Sequence, residues 1–101
     1  MYIPYTYDPT KSASNLQKHH ISFSSAFKAL KDPDRITYYD EKHSGYNKYG
    51  VFEKRWIAIG KVDSAGRKVL FVSYCVRDGE IRIVSARKAS KRMKRLYEGG
   101  G

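Results

Sequence analysis

Two arginines, Arg55 and Arg82, stand in stretches where apolar and polar side chains alternate, a setting in which arginine suits phosphate. A guanidinium is planar, keeps its charge and binds two phosphate oxygens at once. RNA can be cut without a metal when its own 2′-hydroxyl attacks the neighbouring phosphate. The protein must then stabilise a doubly charged transition state, accept one proton and return another. Glu53 and His19 have the chemistry for the proton transfers. Strand alternation puts Glu53, Arg55, Ile57 and Ile59 on one face, and Phe52, Lys54, Trp56 and Ala58 on the other. If the first set faces a core, Arg55 belongs at its rim or the strand carries a bulge. The same rule puts Arg82 with Val84, opposite Ile81, Ile83 and Ser85. Each residue also has an ordinary role open to it. Glu53 and Arg55 can be a solvated charge pair, Arg82 a structural staple, and His19 a partner for a helix C-terminus.

Other chemistries find less support. Cys75 is the only cysteine, so neither a disulfide within the chain nor a cysteine zinc site is expected, and it reads as a small buried hydrophobe. His19 and His20 are adjacent and cannot both face one metal from a helix, while His43 is distant in sequence. No phosphate-binding glycine loop and no nucleophile elbow is present. The expectation is no metal and no cofactor.

Twenty Lys and Arg against ten Asp and Glu give a net charge of +10. Such a potential draws polyanions: nucleic acid, an anionic membrane or an acidic protein. Arg87 to Arg95 carries six basic residues in nine, pointing in all directions, which is no amphipathic membrane anchor. No apolar run approaches the roughly 20 residues of a membrane span, and Met1-Tyr2-Ile3-Pro4 lacks the character of a secretory signal, so a cytoplasmic protein is expected. Nine Tyr, four Phe and one Trp offer stacking platforms for single strands.

The elements that must position these residues fit one domain, residues 1–98, followed by a glycine tail at 99–101. Tyr2 to Tyr7 contains Pro4 and reads as an edge strand. Asp8-Pro9 starts a helix running to His19. Ser22 caps a second, whose Phe23, Ala26, Phe27 and Leu30 form an apolar stripe, and Asp32-Pro33 stops it. Ile36 to Tyr39 is a short strand, and Asp40 to Gly50 a polar loop. A three-strand meander follows: Val51 to Val62, Lys68 to Val76 and Glu80 to Ala86, with Asp78-Gly79 as a two-residue hairpin. Arg87 to Tyr97 reads as the last helix. The class is α+β: an antiparallel sheet of about four strands, two N-terminal helices and a C-terminal helix.

Taken in order, several segments resemble one family. Tyr5-Thr6-Tyr7-Asp8-Pro9-Thr10-Lys11, then Asn15-Leu16-Gln17-Lys18-His19 with Ile21-Ser22-Phe23 and Ala26, then Asp32-Pro33, Glu53-Lys54-Arg55 and Arg82-Ile83-Val84-Ser85-Ala86-Arg87-Lys88-Ala89 with Tyr97, are similar to the motifs of BrnT toxins. The resemblance implies a RelE-like fold and a ribonuclease toxin that blocks translation. It also implies a BrnA-like ribbon-helix-helix antitoxin, through which alone operator DNA would be bound. On this resemblance Arg55 and Arg82 hold the scissile phosphate, Glu53 or His19 shuttles protons, and Lys18, Ser85, Arg87 and Tyr97 contact RNA. The chain departs from the family at His20, which replaces a glycine, and in a longer loop between Ser44 and Glu53. The competing readings are a non-catalytic basic RNA- or DNA-binding module and an inactive toxin fold that only captures its antitoxin.

Overall fold

The computed structural model describes residues 5–65 and 67–99. The start of the Tyr2–Tyr7 segment and the last two glycines lie outside them.

Local signals set both N-terminal helices. Asp8 caps α1 (Pro9–His19) by accepting from the Thr10 amide, and Pro9 sits at its first turn. α1 ends at His20 in the left-handed conformation, φ 58°, which histidine tolerates better than most residues. Ser22 caps α2 (Phe23–Leu30) by accepting from the Ser25 amide at 3.2 Å. Phe23, Ala26, Ala29 and Leu30 are buried against the sheet.

The main sheet has five strands where about four are expected. Their order is β1 (Tyr5–Thr6), β7 (Glu80–Lys88), β6 (Val69–Arg77), β5 (Arg55–Lys61) and β2 (Ile36–Tyr39). All pairs are antiparallel except β1 with β7, so the short N-terminal segment adds a parallel edge. The expected polar loop and the start of the first meander strand hold a small ribbon, β3 (Gly45–Tyr46) with β4 (Phe52–Glu53). The Asp78-Gly79 hairpin forms as expected, with positive φ at both residues.

One face of the sheet packs under α2 in the main core, which includes Ala58, Leu70, Val72, Ile83 and Ala86. The other face carries a smaller cluster, Ile57, Ile59 and Val69, covered by Phe71, Ala89, Met93 and Tyr97. Met93 and Tyr97 belong to α3 (Lys91–Tyr97), which Ser90 caps. Thus α3 starts later than Arg87. Arg87 and Lys88 pair with Phe71 and Leu70 and extend β7 instead. Helix propensity favoured the earlier start, but the ladder with the central strand overrides it.

Candidate active site

The register of β5, β6 and β7 decides which side chains meet. Arg55 pairs with Cys75, and Cys75 pairs with Arg82. Paired residues share a face, so both arginines project from the face that carries α3, one on each side of the central strand. Two inter-strand spacings place their backbones roughly 10 Å apart. Cys75 between them is 2% exposed. Arg55 lies beyond Ile57 and Ile59, at the rim of the smaller core, and β5 carries no bulge against β6. Its Nε is buried and has no hydrogen-bond partner among the described residues.

The expected alternation of β7 is corrected at Val84. Ser73 pairs with Ser85 but Tyr74 pairs with Ile83, so Val84 is an extra residue, a bulge. The extra residue returns Ser85 and Arg87 to the face of Arg82, where simple alternation had put Ser85 opposite. Arg87 lies over the Phe71 ring at 4.7 Å. Its charge counters the upward push that burial, and secondarily Asp40, give the Tyr38 hydroxyl pKa.

Glu53 reaches the same end of the sheet from β4. Its Oε1 lies 3.7 Å from Arg55, and its Oε2 accepts from Arg77 and from Asn47 at 3.3 Å. On the other side of the arginine row, α1 runs along the part of β7 that β1 leaves uncovered. There Lys18 and His19 line a shallow pocket of about 220 Å³ with Lys11, Val84 and Ser85. Asn15 fixes the helix there: its side chain accepts from the Ala86 amide at 3.1 Å and donates to the Ala86 and Ile21 carbonyls at 2.8 and 2.9 Å.

Tyr97 stands apart from this group. Its hydroxyl donates to buried Asp32 at 2.5 Å, and Asp32 also accepts from the Lys61 and Asp34 amides at 2.8 and 2.9 Å. Burial alone would raise the Asp32 pKa, but these bonds outweigh it and hold the carboxyl below its usual range. Burial and the Asp32 carboxylate push the Tyr97 hydroxyl strongly up. The opposite face of the sheet holds a broad groove of about 760 Å³, lined by Phe52, Trp56, Tyr74 and Val76 with Thr37 and Lys54 at its margins.

A family model described as "Ribonuclease toxin, BrnT, of type II toxin-antitoxin system" matches residues 7–92. The chain belongs to the BrnT family. Among solved structures, the fold of this BrnT-family chain is similar to the 1.1 Å crystal structure of the Brucella abortus ribonuclease toxin, BrnT. The TM-score is 0.64 at 18% identity, over 89% of this chain and 100% of that one. No curated protein matches. A BrnT-family toxin is one half of a toxin–antitoxin pair, so an antitoxin partner and an RNA target follow from membership. No helix among the described residues is long and apolar enough to cross a membrane.

Sequence reasoning missed Asn47 and Arg77. The signal for Arg77 was available: a two-residue turn at Asp78-Gly79 pairs Arg77 with Glu80 and Cys75 with Arg82, which puts Arg77 on the arginine face.

Proposed function

We propose that this chain is a metal-independent endoribonuclease toxin, acting in the cytoplasm, that cuts RNA through the substrate's own 2′-hydroxyl and thereby blocks translation. A BrnA-like ribbon-helix-helix antitoxin neutralises it and carries any contact with operator DNA. The observation that supports this reading is the cross-strand row Arg55–Cys75–Arg82. Two guanidiniums on one face, roughly 10 Å apart at the backbone, can close on a single phosphodiester from both sides. Among the described residues the buried Nε of Arg55 has no partner, and an unmet buried donor is costly.

The proton carriers stand on opposite sides of the row. Glu53 lies beside Arg55 at β5, and His19 lies beside Ser85 at the α1 edge of β7. In-line displacement calls for proton carriers on opposite sides of phosphorus, because the attacking and leaving oxygens lie there. Lys18, Ser85 and Arg87 extend the basic, hydrogen-bonding surface along which the RNA strand runs. Tyr97 contributes by fixing α3 through Asp32, since its hydroxyl is already engaged.

The test is cleavage of RNA by the free protein in EDTA. Wild type generates new RNA ends. Arg55→Ala and Arg82→Ala each lose roughly a hundred- to a thousand-fold in kcat, the usual effect of removing one transition-state donor. Binding without new ends in wild type, or equal cleavage by the double variant, overturns the proposal.

A further inference from the structure

Glu53 is held from three elements at once. Arg55 of β5 approaches one carboxylate oxygen; Arg77, from the end of β6, and Asn47, from the ribbon loop, bind the other. The carboxylate is 15% exposed, whereas Arg77 is 47% exposed. Asn47 is itself the centre of its loop. Its Oδ1 accepts from the Tyr49 and Val51 amides at 2.9 and 3.1 Å, and its own amide donates to the Val51 carbonyl at 2.9 Å. That leaves its Nδ2 pointing at Glu53. Gly50, at φ +75°, supplies the turn that closes the loop. The loop is anchored to Arg55 as well. Ser44 Oγ accepts from the Arg55 amide at 2.8 Å and donates to the Asp40 carbonyl, and the Asp40 amide donates to the Arg55 carbonyl. Thus the segment between Ser44 and Glu53 grips both members of the acid–arginine pair.

We propose that Asn47 and Arg77 are positioning residues that aim the Glu53 carboxylate beside Arg55, and that the ribbon loop is the frame that holds them. This rests on the ribonuclease reading above, with Glu53 as a proton carrier. A carboxylate that takes a proton from a hydroxyl must come within about 3 Å of it in the right orientation. A glutamate on a two-residue strand at a sheet end has three side-chain torsions to fix. The two contacts on Oε2 fix them and leave Oε1 on the arginine side.

The experiment is a double-mutant cycle. Arg77→Ala, Arg77→Lys and Asn47→Ala are each made in wild type and in Glu53→Gln, and cleavage of an oligoribonucleotide is followed in EDTA. In the wild-type background Arg77→Ala and Asn47→Ala lower kcat ten- to a hundred-fold, with KM changed less than three-fold. Arg77→Lys restores part of the rate. In the Glu53→Gln background the further loss is under three-fold. A loss carried by KM, or an equal loss in both backgrounds, means that Arg77 touches RNA directly and overturns the proposal. Melting temperatures of the same set decide the contact apart from catalysis. Arg77→Ala lowers Tm in wild type and not in Glu53→Gln, while equal drops overturn the bracing. A wild-type protein that does not cleave overturns the ribonuclease reading, and the melting cycle still decides whether Glu53 is braced.

Discussion

The Asn15 side chain meets both backbone groups of Ala86 and the carbonyl of Ile21, and it is buried. It does for the open edge of β7 what a neighbouring strand would do, and it ties the helix that carries Lys18 and His19 to the strand that carries Ser85. Asn15→Ala leaves an amide and two carbonyls without partners, at a cost of about 2–4 kcal/mol. For a domain this size that lowers Tm by more than about 10 °C, readable by circular dichroism. Asp32 makes a comparable knot between β5, the end of α2 and α3. Its folded pKa lies below the ordinary aspartate value, so its contribution is present above that value and is lost as pH falls through the lowered one. The Tyr97 hydroxyl, shifted upward, contributes below its ordinary range and loses that contribution only as pH rises through its folded value. Neutral pH therefore retains both. Asp32→Asn should lower Tm at pH 7 and flatten the fall of Tm between about pH 5 and pH 2, whereas an unchanged acid slope would show that other carboxylates carry it.

At the scale of elements, what was legible in the sequence was local. Asp8-Pro9, Ser22 and Asp78-Gly79 act on their own neighbours, and both helix starts and the hairpin form where they predict. The bulge at Val84 has no such local cause. It arises from the register against β6, and it alone brings Ser85 and Arg87 to the face of Arg82. In the ribbon, β3 was read as loop and β4 as the start of the meander strand, because their pairing is only two residues long and the polar stretch from Asp40 to Gly50 carries no alternation. The candidate site was half legible for the same reason. Arg55 and Glu53 are neighbours in sequence, but their relation to Arg82 and Arg77 depends on pairing. Packing between elements makes a sharper demand at Gly60. A Cβ there would stand 2.4 Å from the Ala29 carbonyl oxygen and 3.2 Å from its carbon, so α2 can lie on β5 only because the side chain is absent. Backbone on both sides leaves nothing flexible to yield. Gly60→Ala should cost about 1–3 kcal/mol and lower the urea midpoint with little change in slope. A neutral result would mean that α2 can lift off the sheet without loss.

For the whole molecule, charge and site make separable contributions to RNA. The net charge of +10 is spread far beyond the arginine row, and α3 presents exposed Lys91, Arg92 and Arg95, which among the described residues contact no carboxylate within ion-pair distance. Each phosphate neutralised on a single strand contributes about 0.7 to the slope of log affinity against log salt. Removing Lys91, Arg92 and Arg95 together should therefore weaken binding at low salt and reduce that slope by up to about 2. It should leave kcat at saturating RNA unchanged, because those groups attract the strand without touching the reacting phosphate. Arg55→Ala and Arg82→Ala should do the reverse: a slope lower by at most about 1, with the main loss in kcat. Filter binding across a salt series, beside single-turnover cleavage, separates the two effects. If the α3 variant loses kcat as heavily as the arginine variants, the strand is bound across α3 during the reaction, and the cutting centre extends beyond the row of Arg55, Cys75 and Arg82.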